Sequence, residues 1–280
     1  MIRALTPDDV PAAQAVTHTA LSDLNARRGR PPYPRTDEAV ARGRARVAHL
    51  QRTDPASAFV AEVDGAVVGC GMALVREGMW FLSLLMVDPA HQGAGLGKAL
   101  LDATLATATD RSWLLATDDA AAVRRYQRAG FALHPTYAAS GTVDRSLLPA
   151  VTGIREATDD DRDTLDHVVR HLRGAPMGPE FDYLREQGAR TLVAPGRGFV
   201  VLRDEGPQWL GAVDVPTART LLWAALAEAT AAVEVPWLGA DQQWAIDVCL
   251  DARLSLGPGA SVCLRGQPPM SPYLPSGAFG

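Results

Sequence analysis

The sequence predicts an α/β (α+β) protein made of two related domains. Three observations carry that expectation: the length, an internal repeat, and a strand, glycine-rich turn and helix found in only one copy of the repeat. At 280 residues the chain is nearly twice the usual ~150-residue domain, so two cores are expected. Hydrophobic residues make up 47%, which is enough for each half to bury a core and too much for wholesale disorder.

The elements follow in order along the repeat. Ile2-Arg3-Ala4-Leu5-Thr6-Pro7-Asp8-Asp9 returns as Ile154-Arg155-Glu156-Ala157-Thr158-Asp159-Asp160-Asp161, each followed by an amphipathic stretch. Each copy predicts a short strand and then a helix opened by a Thr/Asp cluster, because those side chains accept from the orphan amides of a first turn. Phe59 to Gly65 is similar to Phe199 to Gly206, a strand running into a turn. The next strand is expected at Ala66 to Val75 in the first half, compressed into Trp209 to Val213 in the second. Val87-Asp88 then leads to a helix around Leu100-Leu101, and Val213-Asp214 to one around Leu221-Leu222. About five residues are missing from the second connection, and they are the glycine-rich ones, so the chemistry of that loop is expected in the first half alone. The halves divide near Leu148-Pro149-Ala150, giving domains 1–148 and 150–280. The C-terminal stretch Ser271 to Phe279 is expected to be a final strand, one that lets one half complete the other.

Charge and cysteine content narrow the function classes. Lys+Arg number 27 against 32 Asp+Glu, a net charge of −5, which does not support a general electrostatic grip on nucleic acid or an anionic membrane. One of those 27 is lysine, Lys98; the others are arginines. Cys70, Cys249 and Cys263 are widely spaced, with no C-x-x-C pair, and are expected as reduced buried thiols in a cytoplasmic protein. No apolar signal-peptide core and no apolar window of membrane-spanning length occur.

The candidate site is the unrepeated loop. Leu82 to Val87 is an apolar strand, Asp88-Pro89 ends it, and Gln92-Gly93-Ala94-Gly95-Leu96-Gly97-Lys98 opens a helix running to about Thr107. Such a turn gathers unpaired backbone N–H groups at the positive end of a helix dipole, and glycine permits the close backbone approach that an anion cradle needs. The spacing excludes two nucleotide loops. Glycines at 93, 95 and 97 do not make G-x-G-x-x-G, and Gln92 and Ala99 stand where a Walker loop needs Gly and Ser/Thr.

Gln92-Gly93-Ala94-Gly95-Leu96-Gly97, preceded by Val87-Asp88-Pro89, instead resembles the Q/R-x-x-G-x-G/A coenzyme A loop of the GNAT superfamily of acyl-CoA N-acyltransferases. Ala122, Tyr126 and Gly130-Phe131 follow about 30 residues on, as that family's next element does. The resemblance covers residues 1–148, with the second half a degenerate copy in a tandem-GNAT arrangement. It implies two mixed, mostly antiparallel sheets flanked by helices, and acetyl transfer from acetyl-CoA to a primary amine, with no metal. It implies that Leu85, Met86 and Val87 pair with the pantetheine arm and that the amides of Gly93 to Lys98 hold the pyrophosphate. Gln92, Asp119 and Ala122 join the coenzyme contacts. An amide near Met86 or Val87 would meet the acetyl carbonyl.

Tyr126 is the candidate acid, a phenol that protonates the leaving thiolate. The family often places a carboxylate base on the central strand or the next one; Ser83 and Leu114 stand there, and Asp119 replaces the usual Asn. Ser83, Glu62, His91 and Asp118 remain as base candidates, through ordered water, beside an amine of low pKa that needs none. The arginines between Arg27 and Arg46 are read mainly as a solvated face, the alternative being selection of an anionic acceptor or contact with the 3′-phosphate. His167 and His171 have metal-compatible spacing but lack a third ligand. Trp209, Trp223, Trp237 and Trp244 are read as core of the second half. The acceptor is expected to be a small-molecule amine and the protein a monomer or homodimer. The other readings kept open are a protein or peptide N-acetyltransferase and a non-catalytic acyl-CoA-binding regulatory protein.

Overall fold

The structure, a computed structural model, describes residues 1–203 and 206–280; the turn expected at Asp204-Glu205 lies outside the described residues. The chain packs as two compact units, Met1–Val75 with Trp80–Ser112, and Arg76–Met79 with Trp113–Gly280.

The first unit is a strand meander with helices. β1 (Ile2–Ala4), α1 (Val10–Arg27) and α2 (Asp37–Thr53) precede β2 (Ala58–Val63), β3 (Ala66–Arg76), β4 (Met79–Val87) and α3 (Leu96–Leu105). The strands lie in the order β1-β2-β3-β4, with β1/β2 and β2/β3 antiparallel. β4 reads as a continuous apolar run because Met79 to Leu82 are all buried. Two glycines in β3 let α3 approach the sheet: a Cβ on Gly69 would lie 3.0 Å from Leu100 Cδ1, and one on Gly71 3.3 Å from Leu100 Cβ. Ala61, Val68 and Leu100 then form a small core on which Leu85, Val87 and Leu96 pack.

The second unit holds β5 (Arg111–Ala116), which Trp113 carries into it, α4 (Ala120–Arg128), β6 (Ala132–Gly141), β7 (Arg155–Glu156), α5 (Arg162–Arg173) and α6 (Glu180–Glu186). β8 (Arg190–Ala194), β9 (Gly198–Arg203), β10 (Gly206–Ala212), α7 (Val215–Ala227), β11 (Val233–Leu238), α8 (Gln243–Asp251), β12 (Ser255–Arg265) and β13 (Tyr273–Leu274) follow. Its strands are ordered β5-β12-β6-β11 and β13-β10-β9-β8-β7. Leu221, Leu222, Val235 and Val248, all fully buried, lie in one large apolar cluster, each contributing about 1.5–3 kcal/mol of burial.

The repeat extends to hydrogen-bond detail. Arg3 donates to both carboxylate oxygens of Asp9 at 2.7 and 2.9 Å, and Arg155 to those of Asp161 at 2.7 and 2.8 Å. Thr6 N and Thr158 N each donate to the aspartate three residues on, at 2.8 Å, closing a reciprocal cap in both copies.

One strand was missing from the expected second copy. β8 pairs antiparallel with β7 and β9, so β7-β8-β9-β10 matches β1-β2-β3-β4. The segment at Phe199 is thus the counterpart of β3, not of the strand at Phe59. The strand placed at Trp209–Val213 is β10, Gly206–Ala212, and Ala212 ends it as Val87 ends β4. The C-terminal strand is shorter than expected, with Tyr273 and Leu274 pairing with Gly211 and Leu210. Strand exchange between the halves falls elsewhere: β6, from the first copy, pairs with both β11 and β12. That pairing is why packing divides the chain after Ser112 while the repeat divides near residue 148.

Candidate functional site

In the first unit, β4, the loop 88–95 and the start of α3 form one backbone surface braced from behind. Leu85, Val87 and Leu96 turn their side chains into the small core. Asp88 N is held by Val68 O at 2.8 Å. Asp88 Oδ1 accepts from Ala90 N at 2.8 Å, and Gln92 Nε2 donates to Val87 O at 3.1 Å. Gln92 therefore stiffens the loop with its own amide.

Beyond these braces the backbone is unpartnered. Among the described residues, the N–H groups of Gly93, Ala94, Gly95, Leu96 and Gly97 donate to no protein acceptor, the first helical bonds coming from Lys98 and Ala99 to Gly95 O. Gly93 and Gly95 hold φ of +85° and +83°, and a Cβ on either would meet nothing within 4 Å. Gly95 caps α3. Five successive amides at the positive end of a helix suit a pyrophosphate, and the open space beside the glycines is where it would lie. The donor set fits coenzyme A. Lys98 Nζ, well exposed, pairs with Asp102 Oδ2 at 2.5 Å.

β4 offers a second feature. The Arg46 guanidinium, reaching from α2, donates to Ser83 O at 2.6 Å and Ser83 Oγ at 2.9 Å. Ser83 is thereby an acceptor for a cation, which disfavours it as a base. Cys70 is fully buried, with Thr17 Oγ1 3.7 Å from its sulfur. Burial pushes its thiol up to about 11, against a smaller lowering by Thr17, Arg46 and the Met86 backbone. Of the other base candidates, Glu62 is committed to Arg3 at 2.7 Å, and His91 lies 3.8 Å from Asp88.

In the second unit, Asp119 caps α4, its Oδ1 accepting from Ala121 N at 3.0 Å and Ala122 N at 2.8 Å. An aspartate thus serves the cap, and the Ala122 amide is already spent on it. Tyr126 is 6% exposed, and burial pushes its phenol well above the usual value, so it stays protonated through the neutral range. The structure groups Ser83, Leu85 to Val87 and Gln92 to Lys98 in the first unit, and Asp119, Ala122 and Tyr126 in the second.

Sequence reasoning overlooked the inward turn of Arg46. Its signal was the spacing Gly43, Arg46, Val47, Leu50 on one helix face, where a Cβ on Gly43 would sit 2.9 Å from Gln14 Cγ and Val47 and Leu50 are buried. Arg42 and Arg27 pair instead with neighbours on their own helices, Glu38 and Asp23, as a solvated face does. His167 and His171 both lie on α5, and no group of three or more His, Cys, Asp or Glu side chains comes together among the described residues. Trp209 and Trp244 are core residues, while Trp223 and Trp237 are half-buried.

Residues 19–131 match the model of the acetyltransferase (GNAT) family. A mycothiol acetyltransferase of Streptomyces avermitilis is 41% identical over 90 residues, a match covering 30% of this chain and 29% of that protein. The whole chain is similar in fold to a Pyrococcus horikoshii protein assigned as an acetyltransferase, with TM-score 0.80, 18% identity, and coverage of 100% of this chain and 95% of that one. It is also similar to a tandem GNAT protein from the clavulanic acid biosynthesis pathway, with TM-score 0.56, 14% identity, and coverage of 96% and 99%.

Proposed function

Residues 19–131 belong to the acetyltransferase (GNAT) family, and from that premise we propose that the chain is an acetyl-CoA-dependent N-acetyltransferase acting on a primary amine of a small molecule. Residues 1–148 carry the activity and 150–280 are a degenerate copy. The observation that carries the reading is the run of unpartnered amides from Gly93 to Gly97, a donor set suited to a pyrophosphate.

Acetyl-CoA supplies the activated acetyl group, and this chain's residues bind, orient and move protons around it. The amides of Gly93 to Gly97 hold the pyrophosphate, and β4 lies along the pantetheine arm. Asp88 N donates to Val68 O, so by alternation along the strand the Val87 amide points to the opposite edge of β4, and it is assigned to the acetyl carbonyl oxygen. The acceptor nitrogen forms its bond to the carbonyl carbon, the carbon–sulfur bond breaks, and Tyr126 protonates the departing thiolate. The proton of the amine leaves to water, since Ser83 is engaged by Arg46.

A panel of small amines and amino-terminal peptides with acetyl-CoA, read by free thiol release, tests the proposal. Thiol released one for one with an acetylated small amine is expected. Coenzyme binding without thiol release across the panel would make the chain an acyl-CoA-binding module, and turnover with peptides alone would move the acceptor to proteins.

A further inference from the structure

The second copy keeps the walls of the carrier-arm cleft and fills it with its own chain. Leu210 and Ala212 face the core under α7 as Leu85 and Val87 face that under α3, and Val213 N donates to Arg197 O as Asp88 N does to Val68 O, so Leu210, Gly211 and Ala212 stand where Leu85, Met86 and Val87 stand in the first copy. On these positions lies an extended stretch of the same chain. Tyr273 pairs with Gly211 and Leu274 with Leu210, and Ala212 N donates to Pro272 O at 3.4 Å. The opposite wall of this second cleft is the start of α8. Gln242 precedes α8 as Asp119 precedes α4, and it too grips the stretch. Its Nε2 donates to Met270 O at 2.6 Å, and its Oε1 accepts from Tyr273 N at 3.2 Å.

We propose that Met270–Leu274 is a built-in occupant of a second carrier-arm cleft, lying between β10 and the start of α8 as a pantetheine arm would lie along β4. This rests on the reading of β4 given above. The fit is close: Tyr273 is 1% exposed, its hydroxyl lies 2.7 Å from Trp209 Nε1, and a Cβ on Gly211 would come within 3.4 Å of its ring. The cavity left beside the stretch is about 30 Å³, room for a water or two and not for a carrier arm. The phosphate end of this cleft has no counterpart. Asp214 caps α7 through Thr217 N at 2.8 Å, pairs with Arg197, and is followed two residues on by Pro216, which has no N–H to offer. The cleft therefore suits pantetheine and not coenzyme A.

Native mass spectrometry of the full chain with pantetheine, and separately with acetyl-CoA, tests this. One pantetheine per wild-type chain is expected, and two in a Gln242→Ala, Tyr273→Ala double variant, with acetyl-CoA remaining at one in both. A second pantetheine on the wild type, or a folded double variant that still takes one, overturns the proposal. If the variant does not fold, amide exchange in the wild type decides: Ala212 and Tyr273 should exchange as slowly as Val200 in β9, and exchange a hundredfold faster overturns it. A wild type that takes none while the variant takes one would sink the coenzyme reading of the first copy and leave the occupied second cleft standing.

Discussion

Replacing Gly95 by alanine separates the cost of backbone strain from the loss of a ligand contact. Gly95 holds φ at +83° with nothing within 4 Å of an added Cβ, so Gly95→Ala meets no protein atom and its structural cost is the left-handed conformation alone, about 1–2 kcal/mol. That corresponds to a fall in Tm of about 2–4 °C for each kcal/mol. The same methyl group stands in the space assigned to the pyrophosphate. Losing even one amide bond to a charged phosphate costs about 1.5–3 kcal/mol, an affinity loss of about tenfold to a hundredfold. Gly65, in the turn between β2 and β3, is the matched control, with φ of +79° and the same open space. Gly65→Ala should lower Tm by a similar amount and leave binding unchanged. Calorimetric titration with acetyl-CoA and thermal melts on both variants make the comparison. Equal affinities in the two variants, or a Gly95→Ala affinity within twofold of wild type, would refute the placement of the pyrophosphate.

Three further outcomes follow from the same structure. Tyr126→Phe should lower kcat by at least tenfold, within the usual range for a removed general acid, and leave acetyl-CoA affinity intact; unchanged turnover in steady-state assays removes the phenol from the reaction. Asp161, 5% exposed, has its carboxyl held down at about 2 chiefly by the Arg155 guanidinium. A carboxyl lowered on folding stabilises above its unfolded value and loses that contribution as pH falls through the folded one. Asp161→Asn should therefore be less stable than wild type above about pH 4, with the gap closing towards pH 2 in urea melts. Burial raises the thiols of Cys249 and Cys263 to about 12 and Cys70 to about 11, so a disulfide reagent at pH 7.5 should titrate three thiols after denaturation and close to none before.

What was legible in the sequence was local. Thr6 with Asp9, and Thr158 with Asp161, act within a single turn, so their spacing alone announced two equivalent helix starts, and the glycine loop was legible for the same reason. β8 was not, because Arg190-Thr-Leu-Val-Ala is short and shows no alternation; it becomes a strand by lying between β7 and β9, where Leu192 meets Val200. The pairing of β6 with β12, which sets Leu133 against Cys263, depends on partners over a hundred residues apart, a separation no spacing rule reaches. Arg46 was grouped with its exposed neighbours because charge runs usually face water, and only the packing of α2 on α1 turns it to Ser83. Asp119 answers a question of chemistry, for the helix needed an acceptor at its cap and a carboxylate serves as well as an amide.

On the proposed reading the five backbone amides of Gly93 to Gly97, not side chains, hold the pyrophosphate of the coenzyme. Residue-resolved amide hydrogen exchange across Gly93 to Gly97, with and without acetyl-CoA, tests it most directly. Rapid exchange is expected in the free chain and at least tenfold slowing when acetyl-CoA binds; binding that leaves these five amides exchanging as before would rule the placement out.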